Sequence, residues 1–253
     1  MRFTWRSTDA VSTYHDWFSR IGAKDNRPGR SAPSLAKSWA GVVAVAGALN
    51  SHEDLGDFAL SSGAIEAQTA FDTFPGGKRN HDLLLVGTSS SGATVVSIEA
   101  KADEPFGQTV RAAVAAAEKR EAAGKSTNAA KRVEQLVGAL IKHRALTDDR
   151  VLDLRYQLLT GTAGALAAAT AHEAVNAVFL VHELITPART PDTPRKNAKA
   201  LHELGTTVFD IDFPAELSEP WCVGPLDIPG DEAALRRGTR LYIAKAVTDW
   251  TER

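Results

Sequence analysis

Only one cysteine, Cys222, occurs in the 253 residues, which excludes an intramolecular disulfide and any multi-cysteine zinc centre. It reads as a small apolar residue in a reducing compartment. Long apolar runs are also missing. The longest, at 40–49 and at 163–169 with Gly164 inside it, fall well short of the ~20 residues a spanning helix needs. The first nine residues lack the apolar core of a signal peptide, so a cytoplasmic protein with no membrane partner is expected. Nor is there an excess of one charge: 29 Lys and Arg stand against 31 Asp and Glu, a formal net charge of -2. Any nucleic-acid ligand must therefore be met by basic groups gathered locally. Several catalytic signatures are absent as well. The seven histidines show no paired spacing of the zinc-protease kind, and 76–78 (Gly-Gly-Lys) lacks phosphate-loop spacing and precedes a strand. No Gly-x-Ser-x-Gly elbow occurs.

What is present is a change of periodicity along the chain. A breaker-rich stretch at 22–34 is followed by Ser34, placed to cap a helix carrying Leu35, Trp39, Val42, Ala46 and Leu49 and ended by Asn50 and Ser51. Residues 65–74, 81–87 and 94–101 then read as three strands, separated by turns at Pro75-Gly76-Gly77 and at Ser89 to Gly92. This predicts an antiparallel meander. Helix is expected from Thr109 to Ala169, broken near Gly124 and Thr147. Residues 174–185 form an apolar run suited to a strand buried on both faces. Beyond a proline-rich loop at 186–194, a helix is expected at 196–204, a half-buried strand at 206–213 and a last strand at 240–247. With no internal repeat and no low-complexity linker, residues 1–253 read as a single α/β domain with a mixed central sheet.

One group in this frame carries chemistry. On a strand, residues two apart share a face, so Glu99 and Lys101 point the same way while Ile98 and Ala100 point the other. Asp82 opens the preceding strand, and the turn at Ser89 to Gly92 brings its start beside the end of the next. Two carboxylates a few ångströms apart repel each other, and a hard dication relieves that repulsion. The tripeptide Glu99-Ala100-Lys101 is the only acid-x-lysine in the chain, yet by itself it carries little information. Its weight comes from its place at the end of an apolar strand. The plain alternative is a surface ion pair at a strand end.

Asp82, a spacer, then Glu99-Ala-Lys101, preceded by a helix and a strand, resembles the PD-(D/E)xK nuclease superfamily. The resemblance implies a restriction-endonuclease-like core of helix, three-strand meander, helices and strand over about 35–185, with a C-terminal elaboration at 186–253. It further implies Mg2+ (or Mn2+) held by Asp82 and Glu99, Lys101 as the active-site lysine, and hydrolysis of phosphodiester bonds in nucleic acid, DNA first. His81 stands where proline is common, and the helix-borne glutamate of many members has no counterpart in 35–49, which contains no acid. Glu66, on the first strand with Gln68 two residues later, is the candidate for that missing metal ligand, with Asp72 a weaker choice. Gln157 could match the glutamine that some members place against the site from a later helix, although a helical Gln on a polar face is commoner.

Around this group, Asp103 and Glu104 read as the start of a solvated loop. His81 is expected to face away from the site because adjacent strand residues alternate. Lys78 and Arg79, with Lys119, Arg120, Lys125, Lys131 and Arg132, are candidates for holding a nucleic-acid backbone, or else a solvated helix face. A homodimer is compatible with this reading. The main alternative is a catalytically inactive binding or structural protein on the same scaffold.

Overall fold

The computed structural model describes residues 2–6, 9–21, 31–37, 41–75, 77–141, 145–187, 190, 192–214, 219–228 and 238–250. Most of the breaker-rich stretch, 22–30, lies outside them. The core is the expected antiparallel meander of β3 (Ala59–Thr69), β4 (Arg79–Ser89) and β5 (Gly92–Lys101), although its first strand starts at Ala59 and ends at Thr69 instead of spanning 65–74. β6 (Asn176–Ile185) runs parallel to β5, and β8 (Arg240–Asp249) runs parallel to β6. Every residue of β6 but the last is buried, which its apolar sequence demands of a strand covered on both faces.

Three further strands, not expected from the sequence, lie at the margins. They are β1 (Arg2–Trp5), β2 (Asp9–Val11) and β7 (Trp221–Leu226), and they complete an eight-stranded mixed sheet in the order β2-β1-β3-β4-β5-β6-β8-β7. β7 pairs antiparallel with β8, and the strand expected at 206–213 does not form. That segment folds instead as a π-helical turn, Gly205–Phe209, continuing the helix before it. Asp210 then takes a left-handed conformation (φ 58°) and ends the turn, so the apolar–polar alternation there never becomes a ladder.

Helices cover both faces. One face meets α1 (Tyr14–Arg20), α2 (Ser31–Lys37) and α3 (Gly41–Asn50), so the helix expected at 35–49 is two elements. The other meets α4 (Val110–Ala122), α5 (Ala129–Leu140), α6 (Asp149–Asp153), α7 (Tyr156–Ala171) and α8 (Asp192–Leu204). Gly124, at φ 70°, ends the α4 segment where a break was expected. α7 is rich in Ala and Gly and buried along 158–169, because it lies directly on β5 and β6. No helix among the described residues is long and apolar enough to cross a membrane.

The meander carries one irregularity that positions the site. Ala64 packs on the α7 face and Ile65 on the opposite face, yet Ala67 returns to the α7 face. In β4, Leu83 lies on the far face while His81, two residues earlier, faces α7. Each strand thus carries an extra residue, Glu66 and Asp82, at one level. Glu66 adopts φ 53°, a left-handed conformation typical of a bulge and costly for a side chain with a Cβ. The alternation that a regular strand enforces is reset there.

Close helix–sheet approach makes a direct prediction. A Cβ on Gly161 would stand 2.5 Å from Cε2 of Phe179 in β6. Gly161→Ala should therefore destabilise the protein by about 1–3 kcal/mol despite alanine's better helix propensity. Urea unfolding of the two proteins measures it, and an unchanged midpoint would show that α7 does not lie this close.

Candidate active site

Glu99 and Lys101 end β5 on the face under α7, and both are buried, at 3% and 5% exposure. The Glu99 carboxylate accepts from three side chains. Lys101 Nζ and Gln157 Nε2 donate to Oε1 at 2.7 and 2.5 Å, and the Arg79 guanidinium donates to Oε2. Gln157 lies in the first turn of α7, and its own Oε1 accepts from the Gly107 N–H at 3.2 Å, which fixes the amide between loop and strand. The Phe106 ring lies 5.5 Å from Lys101 Nζ. Burial alone would raise the pKa of Glu99. The adjacent Lys101 and Arg79 outweigh it and hold the carboxyl below its ordinary range.

Asp82 reaches the same place differently. The β4–β5 ladder ends at Leu83 opposite Ile98, so Asp82 stands one step beyond, at the level of Glu99. Displaced by the bulge, its Oδ2 accepts the Ala100 backbone N–H at 2.7 Å. Burial, and after it the negative charge of Glu99, push the Asp82 carboxyl well above the usual carboxylate range, against the pull of Lys101 and the Ala100 N–H. The structure therefore brings Asp82, Glu99, Lys101 and Gln157 together. Glu66 is close enough to add to the charge felt by Asp82, and its carboxylate accepts from the Asn80 amide. Among the described residues, no group of three or more His, Cys, Asp or Glu side chains is arranged to hold a metal.

Other candidates are placed elsewhere. Asp72 is buried in an ion pair with Arg132, joining the end of the β3 strand segment to α5, which removes Arg132 from the set of available phosphate contacts. Arg79 is buried against Glu99 and is part of the site itself, not of its approach. Lys78, Lys119, Arg120, Lys125 and Lys131 are exposed. Asp103 accepts from Thr190 N and Oγ1, and Glu104 accepts from the Ser31 N–H at 3.3 Å. His81 does not face away from the site. The bulge turns it under α7, where its ring nitrogens meet Ser97 Oγ at 2.6 Å and Thr69 Oγ1 at 2.9 Å. Alternation predicts the opposite, and only the extra residue at Asp82 explains the difference. Arg79 carried no signal in the sequence beyond its nearness to Asp82.

A family model described as a domain of unknown function (DUF6946) matches residues 10–213. The chain belongs to that family. No curated protein and no solved structure matches the chain. The matched region of the DUF6946 family holds all of β3 to β6 and every site residue named so far.

Burial, and then the charge of Arg79, lower the pKa of His81 to about 3, and burial lowers that of His182 to about 4. A neutral buried histidine protonates first in the unfolded chain, near 6.5. Each therefore removes stability as pH falls from about 6.5 toward its folded value, by roughly 1.4 kcal/mol per pH unit at most. The raised Asp82 works in the opposite direction but is common to parent and variant. His81→Asn should therefore flatten the loss of stability between about pH 6 and pH 4, read as denaturation midpoints across that range. Equal slopes for both proteins would contradict a neutral buried His81.

Proposed function

We propose that the chain is a metal-dependent phosphodiester hydrolase of the PD-(D/E)xK kind, acting on nucleic acid, DNA first. The observation that carries this reading is the convergence of Asp82, Glu99, Lys101 and Gln157 at the carboxyl end of β5. The order of elements around them supports it. α3, the β3–β5 meander, α4 to α7 and a β6 parallel to β5 follow the order of a restriction-endonuclease-like core. Sites outside the carboxyl ends of parallel strands are also where open α/β sheets bind ligands.

The donor set fits Mg2+ or Mn2+ by its chemistry. Asp82 and Glu99 are hard oxygen donors, close enough that the charge of Glu99 opposes ionisation of Asp82, and magnesium needs only one or two protein carboxylates beside its waters. Those two residues would hold it. Glu66, engaged by Asn80, would act on Asp82 through its charge. When bound, such an ion supplies Lewis-acid stabilisation of the phosphate and a more acidic water. The chain's own groups do the rest. Lys101 places an ammonium where charge develops on the phosphate oxygens, or orients the attacking water. Gln157 and Arg79 fix the Glu99 carboxylate. Arg79 also keeps a buried Nε without a hydrogen-bond partner among the described residues, a donor that a substrate oxygen or a water can take. The exposed Lys78 and the lysines and Arg120 of α4 and α5 offer contacts to a backbone. One centre per chain cuts one strand at a time, and a homodimer would let both strands be cut in one encounter.

One observation favours a second reading, a binding protein on the same scaffold without catalysis. Both oxygens of Glu99 are already taken by Arg79, Lys101 and Gln157. The test is incubation of the pure protein with supercoiled plasmid, single-stranded DNA and RNA in Mg2+, Mn2+ or EDTA. Metal-dependent cutting, reduced by at least about a hundredfold in Lys101→Ala, is the expected outcome. No cutting under any condition, with nucleic-acid binding intact, would select the second reading.

A further inference from the structure

The α7 face of the sheet carries a second buried ion pair beside the first. Glu183 on β6 and Lys245 on β8 lie 2.9 Å apart, each 3% exposed. Register ties this pair to the site. Lys101 is the partner of Glu183 across the parallel β5–β6 ladder, and Glu99 and Lys245 both pair with Val181 from opposite sides. Partners in adjacent strands share a face about 4.8 Å apart. Three cations, Arg79, Lys101 and Lys245, therefore alternate with two carboxylates, Glu99 and Glu183, along one buried edge.

We propose that Glu183 is a positioning residue for Lys101, the carboxylate that receives its ammonium when Glu99 turns to a divalent cation. This rests on the reading of Asp82 and Glu99 as metal ligands. In the structure Lys101 occupies Oε1 of Glu99. An ammonium left beside a dication, in a site this buried, is repelled by it and has lost its partner. A carboxylate at Lys101's own register level offers relief within the swing of a four-carbon side chain. Glu183 is that carboxylate, and Lys245 holds it from the far side. Lys245 lies beyond the matched family region, so the C-terminal strand β8 contributes to the working site.

The experiment is Mn2+ titration of the full-length protein without nucleic acid, by calorimetry and by the Mn2+ electron-spin signal. Glu183→Gln should weaken Mn2+ affinity by about tenfold, because Lys101 then has nowhere to go. In a Lys101→Met background the same change should alter affinity by less than about twofold, a dependence that a merely structural role would not show. Should Glu183→Gln not fold, the double variant Glu183→Gln with Lys245→Met removes both charges of the pair and is compared in the same two backgrounds. Parent-like affinity in Glu183→Gln, with binding abolished by Glu99→Gln, would overturn the hand-over and leave the metal site standing. Equal weakening in both backgrounds would also overturn it. No Mn2+ binding by either the parent or Lys101→Met would overturn the metal reading, and the hand-over with it.

Discussion

A carboxylate buried at the end of a central strand must be compensated, and the compensation of Glu99 organises this part of the molecule. Arg79 comes from the start of β4, Lys101 from the same strand, and Gln157 from the first turn of α7. Three elements are thereby fixed to one group. Removing a partner from a buried pair of this kind typically costs about 3–5 kcal/mol, because the remaining charge is left uncompensated. Well-packed apolar residues could match the stability without such a risk. Stability alone therefore does not account for the charged network.

Asp82 shows the opposite side of the same electrostatics. Among the described residues it forms no ion pair and leans on a backbone N–H, so burial and the charge of Glu99 outweigh the pull of Lys101 and favour its protonated form. Two carboxyls whose environments push their ionisation apart are a common arrangement at working sites. The bulge at Glu66 and Asp82 creates it. A regular β4 would send Asp82 straight under α7 and His81 to the far face. The irregular strand puts Arg79 and His81 under α7 and leaves Asp82 at the ladder's end. The close seat of Gly164, where a Cβ would stand 2.7 Å from Arg79 Cγ, allows the helix to lie over both.

The parts of the fold legible in the sequence were those whose burial is set by a simple period. The three meander strands and the doubly buried β6 are of this kind, and so is the helix break at Gly124. The strand expected at 206–213 failed although its alternation is clean. A helix already running through Leu204 carried on into a π-helical turn, and Gly205 let Ile211 and Phe213 close over it. The strand beside β8 is β7, whose Gly224-Pro225 breaks its register and hides it from any propensity argument. β1 and β2 are too short to show a period.

For the site, sequence determined which residue types were available: one acid-x-lysine at the end of an apolar strand, with an aspartate opening the strand before it. Pattern and spacing suffice for that, because strand alternation and a short turn are local rules. Tertiary structure decided who their partners are. Arg79 turns to Glu99 only because of the irregularity in β4, and Glu183 and Lys245 come from strands far along the chain that only the order of strand assembly makes neighbours of the site. The bulge that resets Asp82 and His81 rests on paired irregularities in two strands, and no reading of either strand alone contains it.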